Sequence, residues 1–276
     1  MTDSMIPAQA WSAVAEAWDA NADYVDEHSV EATAALLDRV AVRPGDRVLE
    51  LAAGPGSLGA TWAQLVGPAG TVVVSDIAPR MVEVARRRNA ALGNVETAVI
   101  DLAAIDRPDE SFGVVACRMG LMFTSDPSVA FTEMLRVLRP DGRLGALTWG
   151  GIEHNPWMTC VGMAAMANGL VSGGPPVGPG GIFSLGDPDE LEVLAKGAGF
   201  VDVAVEEFAV TFRAGTVSAH VERVASLAGP LATVLQTASP EQVAALRRTA
   251  ADLAAPYLSD DGLEIPGRAL LVSGRR

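Results

Sequence analysis

The sequence predicts an α/β fold built on an open, mostly parallel sheet, and three observations carry that prediction. Between about residues 45 and 150, short apolar runs bounded by turn residues alternate with stretches of helical spacing. The runs at 71–76 (TVVVSD) and 112–118 (FGVVACR) are dense in valine, as strands covered on both faces tend to be. The first run passes into a helix through a turn rich in small residues, from Glu50 to Gly59.

The elements follow in order. A segment of helical spacing covers about 8–40. Strands are expected at 47–52 (RVLELA), 71–76, 95–101 (VETAVID), 112–118 and 142–149 (GRLGALTW), with helices at about 57–66, 79–92 and 127–138 between them. Beyond Trp149 the pattern loosens into a helix near 155–170 and the run GGPPVGPGG at 173–181. That run can be neither helix interior nor central strand, and it reads as a mobile loop or lid hinge. A helix at 187–198, a strand at 201–212, helices near 216–228 and 240–255 and a strand at 264–273 complete the chain. The late strands suggest a sheet finished at one edge by an antiparallel strand.

Composition narrows the functional classes. The chain has 276 residues, 49% of them hydrophobic, enough for a sizeable core. A formal charge of −14 would repel a phosphate backbone, so no nucleic-acid partner is expected. The basic run Arg86, Arg87, Arg88 falls at the end of a predicted helix, where cations suit the macrodipole. The N-terminus has no basic segment leading into an apolar one, and the longest apolar stretch, 158–171, falls short of the roughly 20 residues a bilayer requires; a cytoplasmic protein with no membrane span is expected. Cys117 and Cys160 have no metal-like spacing, so no metal site is expected. Arginine almost replaces lysine, Lys196 standing alone, which together with abundant alanine points to a GC-rich bacterial source.

Gly54, Gly56 and Gly59 spell G-x-G-x-x-G, and Asp76 follows Gly56 by about 20 residues, so a dinucleotide fingerprint is formally present. Three carboxylates favour a sulfonium nucleoside instead. Glu50, at the end of the first strand, would attract a cationic methionine moiety and repel a pyrophosphate. Asp76, ending the second strand, can accept from ribose hydroxyls whichever nucleotide binds. Asp101, ending the third, can accept from an adenine amino group, with Ile77 and Leu102 against the ring. All three fall at the carboxyl ends of successive strands, where open α/β sheets bind ligands.

The series VLELAAGPG, VVSDIAPRMVEVARRR, VIDLAAI, FGVVACRMGLMF and MLRVLRPDGRLGALTW resembles the ordered motifs of class I S-adenosylmethionine-dependent methyltransferases, in particular the ubiquinone and menaquinone C-methyltransferase-like (type 11) group. The resemblance covers about residues 45–150; NPW (155–157), FSLGDPDEL (183–191) and KGAGF (196–200) extend it weakly. It implies a Rossmann-like fold: a mostly parallel seven-stranded sheet with an antiparallel edge strand, helices on both faces and helical lid elements. It implies one domain, with a helical cap (1–40), a cofactor-binding core (41–150), substrate-side insertions (151–198 and 213–258) and closing strands (201–212 and 264–273). It implies S-adenosyl-L-methionine as cofactor and S-adenosyl-L-homocysteine as product. Glu50, Ala52, Gly54 and Gly56 would then line the methionine end, Asp76 and Ile77 the ribose and adenine, Asp101 and Leu102 the adenine, and Arg118 and Met119 the wall beside the cofactor.

Two positions depart from the family pattern. Ala52 stands where glycine is usual, a mild change if its φ is negative. Gly113 stands where an aspartate is usual, which in related enzymes is structural or touches the methionine amino group.

Methyl transfer relies chiefly on positioning, and a base is optional. His154, just past Trp149, is the candidate base among three histidines; His28, in the acidic N-terminal segment, is a candidate to cover the cofactor. Acceptor candidates are Trp18, Met122, Trp149, Trp157 and Phe183, with Trp11 and Phe123 nearby in sequence, and they suit a small apolar, aromatic or polyketide-like acceptor methylated on carbon, oxygen or nitrogen. Two alternatives remain at this stage: a methyltransferase-like protein that binds the cofactor but catalyses a reaction such as cyclisation, and a nicotinamide-dependent oxidoreductase.

Overall fold

Proline sets the start of most helices outside the N-terminal cap. In a computed structural model, which describes residues 8–172 and 176–276, α6 (Pro79–Arg88), α7 (Pro127–Val137), α8 (Pro156–Ala167), α9 (Pro188–Ala198) and α12 (Pro240–Ala254) all begin on proline, whose missing N–H costs nothing in a first turn. Asp126 and Asp187 cap α7 and α9 by accepting two backbone N–H groups each, and Ser239 closes a capping box with Gln242 on α12. Gly199, at φ 107°, ends α9 in the left-handed conformation that a side chain would oppose.

The strands are β1 (Arg47–Leu51), β2 (Thr71–Asp76), β3 (Val95–Val99), β4 (Phe112–Arg118), β5 (Leu138–Trp149), β6 (Val201–Ala214), the two-residue β7 (Leu258–Ser259) and β8 (Gly262–Arg275). They form one sheet in the order β3-β2-β1-β4-β5-β8-β6, with β7 hairpinned onto β8. β1 to β5 are mutually parallel, and β8 runs antiparallel to both of its neighbours. The fold is thus Rossmann-like with helices on both faces, but the antiparallel strand is not at the edge. β8 sits one place in, and β6, lying outside it, points the same way as β5. Placed there, β8 pairs along both of its sides, with β5 and, over twelve residue pairs, with β6, whereas an edge β8 would keep only one of these partners.

Helices α5 (Gly59–Val66) and α6 cover the β1–β3 half, while α7 and α9 serve the β5–β8–β6 half. The expected N-terminal helical segment is four short helices, α1 (Ala8–Ala13), α2 (Ala15–Ala20), α3 (Ala22–His28) and α4 (Val30–Val40). α4 lies against β5 where Gly145 leaves room for Leu36 and Val40. α2 rides on α6 through ion pairs of Glu16 with Arg80 and Arg87 and of Asp19 with Arg87 and Arg88. The basic run therefore anchors the acidic cap besides suiting the helix end. The later insertion adds α10 (Val217–Leu227), α11 (Gly229–Thr237), which the pattern did not suggest, and α12. Among the described residues no helix is long and apolar enough to cross a membrane.

The proline and glycine run expected as a hinge begins at 173–175, outside the described residues. From Pro176 onward it is tied down: Phe183 N–H donates to the Pro176 carbonyl, the Ser184 hydroxyl donates to the Met122 carbonyl, and Phe183 and Leu185 are buried.

At the amino end of the sheet, Asp46 accepts from Arg139 and Arg143, both at 2.5 Å, and from the Arg43 N–H. Burial pushes its carboxyl up, but these donors outweigh burial and hold it below the usual carboxylate range. A Cβ at Gly113 would strike this Arg139–Asp46 pair. Gly113 also lies five residues before Arg118, roughly 16 Å along the strand from the carboxyl edge. Its glycine thus answers to structure, and the position belongs to the amino end of β4, away from the carboxyl edge where Glu50, Asp76 and Asp101 stand.

Replacing Asp46 by alanine leaves Arg143 buried without its carboxylate and is expected to cost about 3–5 kcal/mol. Urea unfolding at pH 7 measures this.

Candidate active site

At the opposite, carboxyl edge, the strand ends converge. Glu50 lies in the last turn of buried β1 and is 2% exposed. Among the described residues its Oε2 makes no well-formed hydrogen bond, and neither does the nearby buried Trp62 Nε1, although the indole stands close enough to favour the ionised carboxylate. Burial pushes the Glu50 carboxyl up to about 7; Arg118 and the Trp62 indole oppose the shift, and Asp26 and Asp76 add to it.

The turn after β1 is held from below. Asn89, past the end of α6, donates to the Gly56 carbonyl at 3.0 Å and to the Ala85 carbonyl at 2.8 Å. A Cβ at Gly59 would fall on Asn89, and one at Gly56 would come 2.8 Å from the Ala85 Cβ. Packing against α6 and Asn89 thus closes both positions to a side chain, and Gly56 is in addition left-handed at φ 72°. Gly54 differs: at φ 56° a Cβ on it would meet nothing within 4 Å, so its backbone borders open space. Its N–H is spent on Asp76 Oδ2 at 2.9 Å, and the Gly56 N–H on the Ala53 carbonyl at 3.0 Å. Amides already engaged in this way, above a buried carboxylate, suit a cation better than a pyrophosphate.

Asp76, 8% exposed, fastens the turn to α6, since its other oxygen accepts the Ala78 N–H at 2.9 Å. Burial raises its pKa and these backbone donors oppose the rise. A carboxylate offers about four lone-pair sites, so capacity remains for hydroxyl donors. Asp101 accepts the Ala103 N–H at 2.8 Å, which fixes the turn after β3. Ala52, Gly54, Ile77, Asp101, Leu102, Arg118 and Met119 are all half-buried, forming a rim along the ends of β1 to β4, with Glu50, Gly56 and Asp76 beneath it.

Two backbone positions on this rim are strained. Ala52 adopts φ 50° and Met119 φ 59°, so the alanine does not escape the conformation for which glycine is usual. The condition under which the Ala52 substitution would be mild is not met. The Ala52 methyl fills the space where a Cβ on Gly120 would stand, so the glycine has moved to the facing strand end.

Arg118 turns its guanidinium toward the cap. It donates to Asp26 Oδ1 at 2.6 Å and to Ser57 Oγ at 2.8 Å, and Ser57 itself donates to Asp26 at 3.1 Å. This clasp holds α3 over the glycine turn. No motif in the sequence pointed to Asp26 or Ser57.

The acceptor candidates divide. Trp149 and Trp157 are 4.8 Å apart between ring centroids, and both meet Phe212, at 5.9 Å and 4.5 Å. Asn155 orients this group: it accepts from Trp157 Nε1 and the Arg268 N–H and donates to the Gly150 and Gly151 carbonyls. Met122 and Phe183 are buried nearby in the fold, joined through Ser184. Trp18 stands elsewhere, packed with Met81 and Val84 of α6, its indole N–H donating to the Leu227 carbonyl. Trp11 meets Phe123 edge-on at 4.8 Å. His154 projects at the surface, 43% exposed, with Nε2 3.3 Å from Glu153. His28 has both ring nitrogens engaged: Nε2 accepts the Arg213 N–H at 2.9 Å, so Nδ1 donates to the Tyr24 carbonyl at 2.6 Å. Buried His220 donates from Nε2 to the Trp157 carbonyl at 2.7 Å, and its Nδ1 has no partner among the described residues.

Removing the Ala52 methyl should relieve a clash that forbids a side chain at Gly120. Gly120→Ala alone is expected to destabilise by about 1–3 kcal/mol, and Ala52→Gly to recover most of that loss. A double-mutant cycle by chemical denaturation measures the coupling.

Residues 48–142 match the family model described as "Methyltransferase domain". Over 117 residues the chain is 43% identical to the ubiquinone/menaquinone biosynthesis C-methyltransferase of Teredinibacter turnerae, covering 41% of this chain and 47% of that protein. The Ectopseudomonas mendocina enzyme of the same name is 42% identical over 37% of this chain and 41% of its own length. The chain thus spans less than half the length of these relatives. Among solved structures, the YcgJ protein of Bacillus subtilis superposes with a TM-score of 0.58 at 21% identity, over 88% of this chain and 97% of that one. The [4+2]-cyclase SpnF gives 0.54 at 20% identity over 89% and 80%. A Haemonchus contortus phosphoethanolamine N-methyltransferase in complex with S-adenosyl-L-methionine gives 0.57 at 19% identity over 89% and 52%. At these identities the likeness is one of fold, and together with the family match it identifies residues 48–142 as a methyltransferase domain of the class I fold.

Proposed function

We propose that the protein transfers a methyl group from S-adenosyl-L-methionine to a small apolar, aromatic or polyketide-like acceptor, with carbon as the methylated atom. The observation that carries the reading is Glu50: a buried carboxylate with an unpartnered oxygen beside a turn whose Gly54 backbone borders open space. Those features fit a cationic amino acid moiety lying close against the backbone. Glu50, Gly54 and the rim at Ala52 and Met119 would hold the methionine end, Asp76 and Ile77 the ribose, and Asp101 and Leu102 the adenine. When bound, the cofactor supplies a methyl group already activated by its sulfonium.

The protein's own contribution is then positioning and exclusion of water. Asp76 keeps the turn in register with α6, and the Arg118–Asp26–Ser57 clasp closes the cap over it. The buried Trp149–Trp157–Phe212 group supplies an apolar wall. His28 is committed to two hydrogen bonds and His154 pairs with Glu153 at the surface, which suits an acceptor carbon made nucleophilic by an attached phenolate or enolate and needing no strong base. Transfer to carbon also accords with the relatives named C-methyltransferases.

Two predictions follow from the carboxylates. The folded protein raises the Glu50 pKa from 4.5 to about 7, so its burial costs nothing below the unfolded value and costs progressively more as pH rises to about 7. Glu50→Gln should therefore stabilise the ligand-free protein by up to about 3 kcal/mol at pH 8, with a smaller gain at pH 5. The same substitution should weaken S-adenosyl-L-methionine binding about ten- to hundredfold at pH 8 and remove the wild type's gain in affinity between pH 6 and 8. Melting curves and calorimetric titrations across that range measure both. Asp76→Ala should also weaken cofactor binding about ten- to hundredfold; unchanged affinity would remove Asp76 from the site.

A further inference from the structure

The crevice leaves a second cavity at the carboxyl edge without a role. It measures about 380 Å³ and lies between α3, the end of β6 and α10, bordered by Tyr24, His28, Arg213, Gly215 and Arg223, with exposed Glu27 at its rim. Because β6 points the same way as β5, the end of β6 opens on the edge where Glu50 and Asp76 stand.

α3 is the wall common to both sites. Asp26 reaches from it to Arg118 and Ser57 above the glycine turn. Tyr24 and His28, one helical turn apart, serve the second cavity, and the Tyr24 hydroxyl donates to the Arg213 carbonyl at 3.2 Å. From His28 an aromatic series leads inward. Its ring lies parallel to Phe212 within 6°, with centroids 5.6 Å apart, and Phe212 meets Trp157 and Trp149.

Of the charged groups at this cavity, the Arg223 guanidinium stands apart from the rest. Two guanidinium groups border it in a protein of net charge −14. Arg213 pairs with Glu264 at 2.7 Å. Arg223 has no carboxylate partner among the described residues; its Nε donates to Asn21 Oδ1 at 3.2 Å, and its guanidinium carbon stands 3.7 Å from the Tyr24 ring centroid. A planar cation pinned on an aromatic face, with its fork unclaimed by any acid, is built to take a carboxylate.

We propose that this cavity is the anion subsite of the acceptor: Arg223, seconded by Arg213, binds the carboxylate of a planar aromatic acid whose ring points along the His28–Phe212 series toward Trp157 and Trp149. The assignment narrows the acceptor class and rests on the methyl-transfer reading of the neighbouring crevice.

The test is calorimetric titration of the full chain, saturated with S-adenosyl-L-homocysteine, with 4-hydroxybenzoate, 2-naphthoate and the methyl ester of each. The expected result is saturable binding of at least one acid, about tenfold or more tighter than its ester. Arg223→Gln should abolish that preference and Arg223→Lys should keep part of it, while both variants bind S-adenosyl-L-homocysteine as the wild type does. Binding of neither acid, equal binding of acid and ester, or an unchanged preference in Arg223→Gln overturns the proposal while the cofactor reading stands. Failure of the wild type to bind S-adenosyl-L-homocysteine overturns both together.

Discussion

Glu50 is fixed by the strand that carries it. β1 is central in the sheet, flanked by β2 and β4, so a carboxylate on its penultimate residue is shut off from bulk water and lacks a complete set of donors among the described residues. Holding an ionised group there costs free energy in the absence of a ligand, and the raised pKa expresses that cost. The turn above it, the clasp across it and the rim around it all leave the deficit in place. A cationic ligand removes the deficit, which links the least comfortable residue of the ligand-free fold to the best-supported reading of its function.

The surrounding glycines have separate causes. Gly56 and Gly59 give way to α6 and Asn89, Gly54 borders open space, and Gly120 yields to the methyl of Ala52. The literal G-x-G-x-x-G is therefore largely a packing pattern, with one member, Gly54, bordering open space. Its amides are partly consumed within the turn and by Asp76, which leaves it less suited to a pyrophosphate than the string alone suggests.

Much of the parallel half was legible from local signals. Valine runs marked β2 and β4, helical spacing marked the helices between them, and Glu50, Asp76 and Asp101 stood where a strand gave way to a turn. What was not legible depends on contacts distant in sequence. β8 lies between β5 and β6 because of pairings across more than fifty residues, which periodicity does not encode. Asp26 gains its place only when α3 meets Arg118, 92 positions later. Gly113 reads as a missing aspartate until the Arg139–Asp46 pair is seen to occupy its space. The φ of Ala52 could be posed as a condition but not read, since alanine itself says nothing of backbone sign. On the acceptor side, Trp149 and Trp157 come together while Trp18 belongs to the junction of α2 with α6, because aromatic residues carry no mark of which cluster will bury them.

The central claim is that the buried carboxylate at the end of β1 receives the cationic methionine end of S-adenosyl-L-methionine. A crystal structure of the protein with S-adenosyl-L-homocysteine tests it most directly. The account predicts the ligand's amino group within direct or single-water hydrogen-bond reach of Glu50, its ribose hydroxyls on Asp76 and its adenine beside Asp101 and Leu102. A nucleoside seated away from the Glu50–Gly56 turn, or one with its carboxylate end rather than its amino group against Glu50, would contradict it.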